Sequence, residues 1–206
     1  MRFLVFGFFY YLLFFWNVHS SSASQVAPNF ILVLTDDHGW SSLSAPMDKS
    51  LPAAKSDFHK TPNMDALLER GMRFSHGYAA SPVCSPTRYS VQFGKSPARL
   101  GYTRVLGDNG ADHNQVGIPQ LLKAANPDYR CAHFGKWHIS ADPKRYGYDA
   151  HDGRTTNKQG GFTMRNHERE WGGYAEEDPK RVDSLTARAI DFMQDSIKNE
   201  KPFFVQ

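Results

Sequence analysis

The stretch that decides the fold is Phe30-Ile31-Leu32-Val33-Leu34-Thr35-Asp36-Asp37, an apolar run that ends at two carboxylates. A continuous apolar run of this length is typical of a strand buried on both faces of a parallel sheet. In open parallel sheets, functional groups gather beyond the carboxyl ends of the strands, which is where Asp36 and Asp37 lie. We therefore predict a core strand that presents two carboxylates to a site.

Helices and strands alternate along the chain beyond this strand. Pro suits the first turn of a helix and Gly the position after its last turn, while apolar residues at helical spacing mark a face that packs on a core. The predicted elements are a helix between Thr61 and Gly71, a helix over Ile118 to Ala125, a strand over Tyr129 to Phe134, a helix over Val182 to Ile197 and a strand from Pro202. Their alternation predicts an α/β fold with a mainly parallel sheet flanked by helices. Between them, Ser140 to Lys180 shows little periodicity and is predicted to be a long surface loop.

The N-terminus has the pattern of a targeting segment. Arg2 precedes the apolar run Phe3 to Trp16, and the small polar stretch Ser20 to Ser24 follows. This run is shorter than the roughly 20 residues that a membrane-spanning helix needs. We predict that residues 1–24 are a signal peptide of a secreted or periplasmic protein without a stable membrane span, the alternative being an uncleaved N-terminal anchor.

Charge and cysteine content exclude two other classes. The formal net charge is +3 and no dense block of Lys and Arg occurs, so we expect no nucleic-acid partner. Two cysteines are too few for a disulfide scaffold, although one disulfide could form in an oxidising compartment. Cys84 lies in a turn crowded with Pro and Ser, whereas Cys131 lies in an apolar stretch and is predicted to be a core residue.

Asp36 and Asp37 suit a hard divalent cation, which takes oxygen ligands and offsets their mutual repulsion. A solvated acidic turn is the alternative interpretation.

The segment Pro82 to Arg88 is more informative, because Pro86 allows a helix to begin nearby and so places Cys84 where anions are favoured. Arg88 adds a bidentate donor for a tetrahedral oxyanion. The alternatives are a structural thiol beside a surface Arg and an unmodified thiolate nucleophile.

Four motifs in this order resemble the sulfatase family. The first motif is Pro28-Asn29, followed by the apolar strand and by Asp36 to Trp40. The second begins at Thr61 to Asp65 and ends at Gly71 to Phe74. The third is Cys84-Ser85-Pro86-Thr87-Arg88 with Gly94-Lys95 downstream, and the fourth is Phe134 to His138. The resemblance implies an alkaline-phosphatase-like α/β domain of which residues 25–206 would be the N-terminal part. The family usually has an apolar pair and then a small residue before the Gly, so the departures Gln92 and Phe93 leave the packing of that helix and the shape of the pocket open.

The resemblance also implies a mechanism. A maturation enzyme would oxidise Cys84 to formylglycine, one oxygen of whose hydrate attacks sulfur while the other releases sulfate. Calcium would be bound by Asp36, Asp37 and the modified Cys84, and would polarise the sulfate. Arg88 would hold the modified residue, and Lys136 and His138 would contact the diol and the sulfate oxygens.

The implied activity is hydrolysis of sulfate esters of small molecules or carbohydrates. The alternatives are hydrolysis of phosphonate or phosphate monoesters, which would use the same groups, and an inactive secreted sulfatase fragment. We expect a chain limited to these residues to be inactive, because two carboxylates and Cys84 fall short of the 6 to 8 ligands that calcium takes. We also expect an exposed strand edge and apolar face near Phe203 and Phe204.

Overall fold

A computed structural model describes residues 27–105, 112–157, 162–165, 168–171 and 181–206, so the predicted signal peptide lies outside the described residues. The strands are β1 (Phe30–Ile31), β2 (Arg130–His133), β3 (Ala150–His151), β4 (Phe162–Arg165), β5 (Glu168–Trp171) and β6 (Phe203–Val205). The helices are α1 (Pro62–Arg70), α2 (Cys84–Phe93), α3 (Pro97–Leu100), α4 (Ile118–Ala125) and α5 (Val182–Lys198), with a 3-10 turn over Pro143–Tyr146. Four strands form a parallel sheet in the order β1-β6-β2-β3, and β4 pairs with β5 in an antiparallel ribbon. The predicted parallel α/β fold is confirmed.

The last strand lies inside the sheet. β6 pairs with β1 on one side and with β2 on the other, so that Phe204 stands beside both Phe30 and Cys131. All three residues of β6 are buried. The prediction of an exposed strand edge and apolar face near Phe203 and Phe204 is therefore wrong, because β1 and β2 pair with both edges of β6 while α5 and the aromatic core cover its faces.

The first strand lies at one edge of the sheet. The backbone N–H of Leu32 donates to the Val205 carbonyl at 2.8 Å, but Ile31 is 60% exposed and Val33 78% exposed. The prediction of a strand buried on both faces is therefore wrong for β1. An apolar run marks a strand but does not show whether the strand is central or at an edge, since both carry β-branched and large apolar residues.

The predicted helices are confirmed with small shifts at their ends. α4 has the predicted bounds, and α5 extends the predicted helix by one residue. α1 carries Pro62 in its first turn and ends at Gly71, but none of its residues is buried. α2 begins at Cys84 itself, so this residue lies in the first turn, which agrees with its predicted position near a helix N-terminus. Among the described residues, no helix combines the length and apolar character needed to cross a membrane.

The core is a cluster of aromatic side chains between the sheet and α2. Its members are Tyr89, Phe93, Tyr102, Tyr129, Trp137, Tyr146, Tyr148 and Phe204, together with Cys131 and Ile139. The prediction of a surface loop from Ser140 is wrong for its first part, because β3 joins the sheet and Tyr146 and Tyr148 are buried. These aromatic residues follow neither a helical nor a strand period, so the periodicity test does not detect them.

The two departures from the family pattern on α2 are accommodated in this core. Gln92 is buried and accepts a hydrogen bond from the Tyr148 hydroxyl at 2.9 Å. The Phe93 ring lies edge-on to Tyr146 at 5.1 Å. The absence of a side chain at Gly117 leaves space for Gln92 and for Tyr146. An added Cβ at this position would lie 2.7 Å from Gln92 Nε2 and 2.9 Å from Tyr146 Cβ.

We predict that Gly117→Ala destabilises the protein. Its Cβ would overlap Gln92 and Tyr146, and overpacking of this kind costs about 1–3 kcal/mol. Gly77→Ala is the matched control, because the nearest atom to its Cβ would be at 3.5 Å, an ordinary contact. Urea unfolding of the two variants measures the difference. Equal unfolding midpoints would show that the two glycines tolerate a side chain equally.

Candidate active site

Cys84 is the first residue of α2 and is half-buried. The chain approaches it through an extended Val83, and the Thr87 hydroxyl donates to the Ser81 carbonyl at 2.8 Å, which ties the approach to the first helical turn. The first backbone N–H groups of a helix have no partners within the helix and carry partial positive charge. The side chain of residue 84 therefore stands where a negatively charged group is stabilised.

Three charged side chains meet next to this helix end. Lys136 Nζ lies 2.6 Å from Asp36 Oδ2, and Arg88 Nη2 lies 3.6 Å from the same oxygen. Arg88 is only 7% exposed. Burial lowers the pKa of its guanidinium, and the charges of Asp36 and Cys84 oppose this shift. Since an Arg side chain stays protonated in proteins, the buried cation is held by these neighbours.

The loop that follows β2, residues 135–140, is fastened to α2 at every second residue. Arg88 donates to the carbonyl of Lys136, the Ser85 hydroxyl donates to the carbonyl of His138 at 2.9 Å, and Tyr89 pairs with Ser140 through oxygens 2.8 Å apart. One helix thus presents Cys84 and at the same time fixes the loop that carries Lys136 and His138.

The other side of the 135–140 loop rests on the segment after β3. Thr155 accepts from the Trp137 N–H through its hydroxyl and from the His138 N–H through its carbonyl, both at 2.8 Å. Asp152 accepts from the Gly135 N–H at 2.7 Å and from Arg188 of α5 at 2.8 Å. Sequence reasoning missed both residues because they lie in the predicted surface loop. Their position after a strand parallel to β2 is the signal that could have found them.

Two site residues have left-handed backbone conformations. Asp37 has φ 54° and His138 has φ 51°, and neither is glycine. Such conformations cost free energy and persist only where the surroundings fix them. At His138 the fixing contacts are those of Ser85 and Thr155 to its carbonyl and N–H.

The predicted site residues are only partly gathered. Asp36, Arg88 and Lys136 are in direct contact, Cys84 acts electrostatically on Arg88, and the backbone of His138 is tied to α2. Asp37 is exposed beside Asp36. Carboxylate oxygens suit calcium, but no group of three or more His, Cys, Asp and Glu side chains comes together within the described ranges. The calcium assignment of Asp36, Asp37 and Cys84 stays a prediction.

Two other reactive residue types belong to the core. Cys131 is a free thiol with no exposed surface, and burial raises its pKa to about 11. His133 is buried edge-on against Trp137 at 4.8 Å, and burial lowers its pKa to about 3, so its ring is neutral. The sequence-based interpretation of Cys131 as a core residue is confirmed.

Comparison with known proteins agrees with this architecture. The sequence model of the sulfatase family matches residues 28–206. This chain belongs to the sulfatase family. The match includes all four motifs from which the resemblance was inferred, and it confirms that resemblance.

Named sulfatases are similar over most of this chain. It is 28% identical over 211 residues to N-acetylgalactosamine-6-sulfatase of Mus musculus, and the match covers 86% of this chain and 38% of the mouse protein. It is 31% identical over 189 residues to N-acetylglucosamine-6-O-sulfatase of Bacteroides thetaiotaomicron, which covers 85% of this chain and 29% of that protein. The chain therefore spans well under half the length of these relatives.

Solved structures share the fold. Ps i-CgsB has a TM-score of 0.67 and 24% sequence identity over 86% of this chain and 44% of its own. BT4656, solved in complex with its substrate D-glucosamine-2-N,6-O-disulfate, has a TM-score of 0.59 and 24% identity over 86% of this chain and 33% of its own. At this level of identity the likeness establishes the α/β architecture.

We predict that the two thiols differ sharply in alkylation when Cys84 has not been oxidised. At pH 8 a thiol with a pKa near 11 is only about one part in a thousand thiolate, and the thiolate is the reactive form. The buried Cys131 should therefore stay unmodified by iodoacetamide while the half-buried Cys84 reacts. Peptide mass spectrometry measures both rates, and the unfolded chain in guanidinium serves as the control in which both react. Equal rates in the folded protein would contradict this assignment of the two cysteines.

Proposed function

We propose that this chain contributes the nucleophile side of a sulfatase active site, in which residue 84 is converted to formylglycine and a sulfate ester is hydrolysed. The observation that carries the proposal is the cluster of Arg88, Asp36 and Lys136 beside the first turn of α2. Family membership supports the same reaction. A formylglycine at this position would supply a geminal diol as the nucleophile.

The side chains of the cluster have distinct tasks in this proposal. Arg88 is buried and bonded to the carbonyl of Lys136, so it keeps its guanidinium at a fixed place near residue 84. Lys136 and Arg88 supply the two positive charges of this cluster, and both lie against the Asp36 carboxylate. These two cations and the N-terminus of α2 favour the anionic sulfate and the negative charge that develops on its oxygens. His138 is assigned to hydrogen-bond the substrate.

Asp36 and Asp37 are the proposed calcium ligands of this chain. Two carboxylates at the end of β1 supply hard oxygens, and calcium takes 6 to 8 of them, so further ligands are required. Bound calcium would act as a Lewis acid toward the sulfate. Lys136 and Arg88 hold the Asp36 carboxylate in a fixed orientation, which reduces the entropy lost on binding the ion.

The proposed substrates are sulfate esters of carbohydrates. The names of the relatives from mouse and Bacteroides thetaiotaomicron specify amino sugars sulfated at position 6, and BT4656 is solved with such a sugar. A secreted or periplasmic location, reached through the signal peptide, would bring the protein to extracellular polysaccharide. A formylglycine-generating enzyme is the proposed maturation partner.

We predict conversion of Cys84 when the protein is made together with a formylglycine-generating enzyme. Peptide mass spectrometry reports conversion, and hydrolysis of aryl sulfate compared with aryl phosphate by a longer form that supplies the remaining calcium ligands reports the reaction class. Cys131→Ser is the matched control and should be converted as fully as the wild type, whereas Cys84→Ala should abolish hydrolysis. An unmodified Cys84 thiol under these conditions would overturn the proposed nucleophile, and faster turnover of the phosphate ester would overturn the proposed substrate class.

We predict that calcium stabilises the protein through Asp36 and Asp37. A ligand that binds only the folded state stabilises it by about 2.7 kcal/mol at a hundred times its Kd. Thermal unfolding with and without calcium should show this gain in the wild type and little of it in Asp36→Asn or Asp37→Asn. Asp191→Asn, which changes an exposed carboxylate on α5, should keep the gain. An undiminished calcium effect in both site variants would place the ion elsewhere.

A further inference from the structure

A chain of hydrogen bonds runs from the end of the 135–140 loop away from the charged cluster. Ser140 Oγ lies 2.8 Å from the Tyr89 hydroxyl and 2.9 Å from His113 Nε2. His113 Nδ1 lies 2.9 Å from the Tyr146 hydroxyl. The Ser140 N–H also donates to the Tyr89 hydroxyl at 3.1 Å, so backbone and side chain of Ser140 both engage Tyr89.

The ends of this hydrogen-bond chain are rigid. Tyr89 and Tyr146 are almost fully buried in the aromatic core, and Tyr89 packs on the Tyr102 ring at 4.3 Å. The backbone of His113 is held as well, because Arg145 donates to its carbonyl at 3.1 Å. A neutral imidazole donates from one nitrogen and accepts at the other, so His113 can join the Ser140 and Tyr146 hydroxyls in either tautomer. Ser140 is therefore fixed from two sides.

The location of these residues connects them to the site. Tyr89 directly follows Arg88 on α2, and Ser140 lies two residues after His138. The left-handed backbone of His138 is thus held by Ser85 at its own carbonyl and is followed two residues later by the Ser140 contact. If Ser140 were released, α2 would lose the outermost of its three contacts with the 135–140 loop.

We propose that His113, Ser140 and Tyr89 are positioning residues, which hold the 135–140 loop so that Lys136 and His138 face residue 84. This role rests on the proposed function. None of the three needs to touch the substrate. Sequence reasoning assigned no role to any of them, because His113 precedes the loop by 22 or more residues and only the fold brings it near Ser140.

Hydrogen–deuterium exchange of the full chain tests this role without relying on activity. Tyr89→Phe keeps the ring and removes only the hydroxyl, so the amide of Ser140 loses its acceptor. Exchange in the peptide that holds residues 136–140 should rise about tenfold, the effect of one net hydrogen bond. Tyr129→Phe is the matched control, because it removes a buried hydroxyl that donates to the Pro28 carbonyl in the same core. Unchanged exchange in Tyr89→Phe, or the same exchange pattern in both variants, would overturn the role.

Kinetics of aryl sulfate hydrolysis provide the second test, measured on a longer matured form of the protein that supplies the remaining calcium ligands. Tyr89→Phe and His113→Leu should lower kcat about tenfold at nearly constant KM, since a displaced catalytic group affects the transition state most. His113→Gln keeps a hydrogen-bonding group for Ser140 and should recover most of the loss. A change in KM alone, or no recovery in His113→Gln, would overturn the role. Absence of turnover in the wild type of that longer form would instead overturn the proposed function, and the exchange measurement would still decide the positioning.

Discussion

The buried guanidinium of Arg88 is the interaction on which the rest of the site depends. A charge removed from water must be matched by hydrogen bonds and opposite charge, because an unpaired buried ion costs several kcal/mol. Arg88 finds these in the Lys136 carbonyl and the Asp36 carboxylate, which belong to the segments that follow β2 and β1. Packing α2 against the sheet is therefore favourable only when both strand ends are in place, and the same contacts assemble the site.

The parallel sheet explains why two groups that are distant in sequence can both contact the Arg88 guanidinium. Lys136 and Asp36 are a hundred residues apart, yet both follow strands whose carboxyl ends face the same edge. β6 lies between β1 and β2 and sets their separation. The burial of β6 by both neighbours thus contributes to the geometry of the charged cluster as well as to the stability of the core.

Sequence reasoning could predict what depends on local pattern and motif. The helices at Pro62, Ile118 and Val182, the parallel sheet and the position of Cys84 near a helix N-terminus all follow from spacing, Pro and Gly. What it could not predict depends on long-range packing. The edge position of β1, the inner position of β6 and the burial of Tyr146 and Tyr148 are set by which strands become neighbours. The contacts of Asp152 and Thr155 with the 135–140 loop could not be predicted either, because they form only when β3 pairs with β2.

The left-handed conformations of Asp37 and His138 have a consequence for how this protein would change under selection. Glycine adopts such a backbone at no steric cost, whereas an L-residue there costs roughly 1–2 kcal/mol. Glycine at either position would remove that cost, and it would also remove a side chain assigned to the site. Selection for thermal stability alone would favour glycine at positions 37 and 138. Under the proposed roles of Asp37 and His138, selection for turnover would disfavour it. At these two positions the backbone conformation therefore links stability and activity, so that a gain in one is a loss in the other.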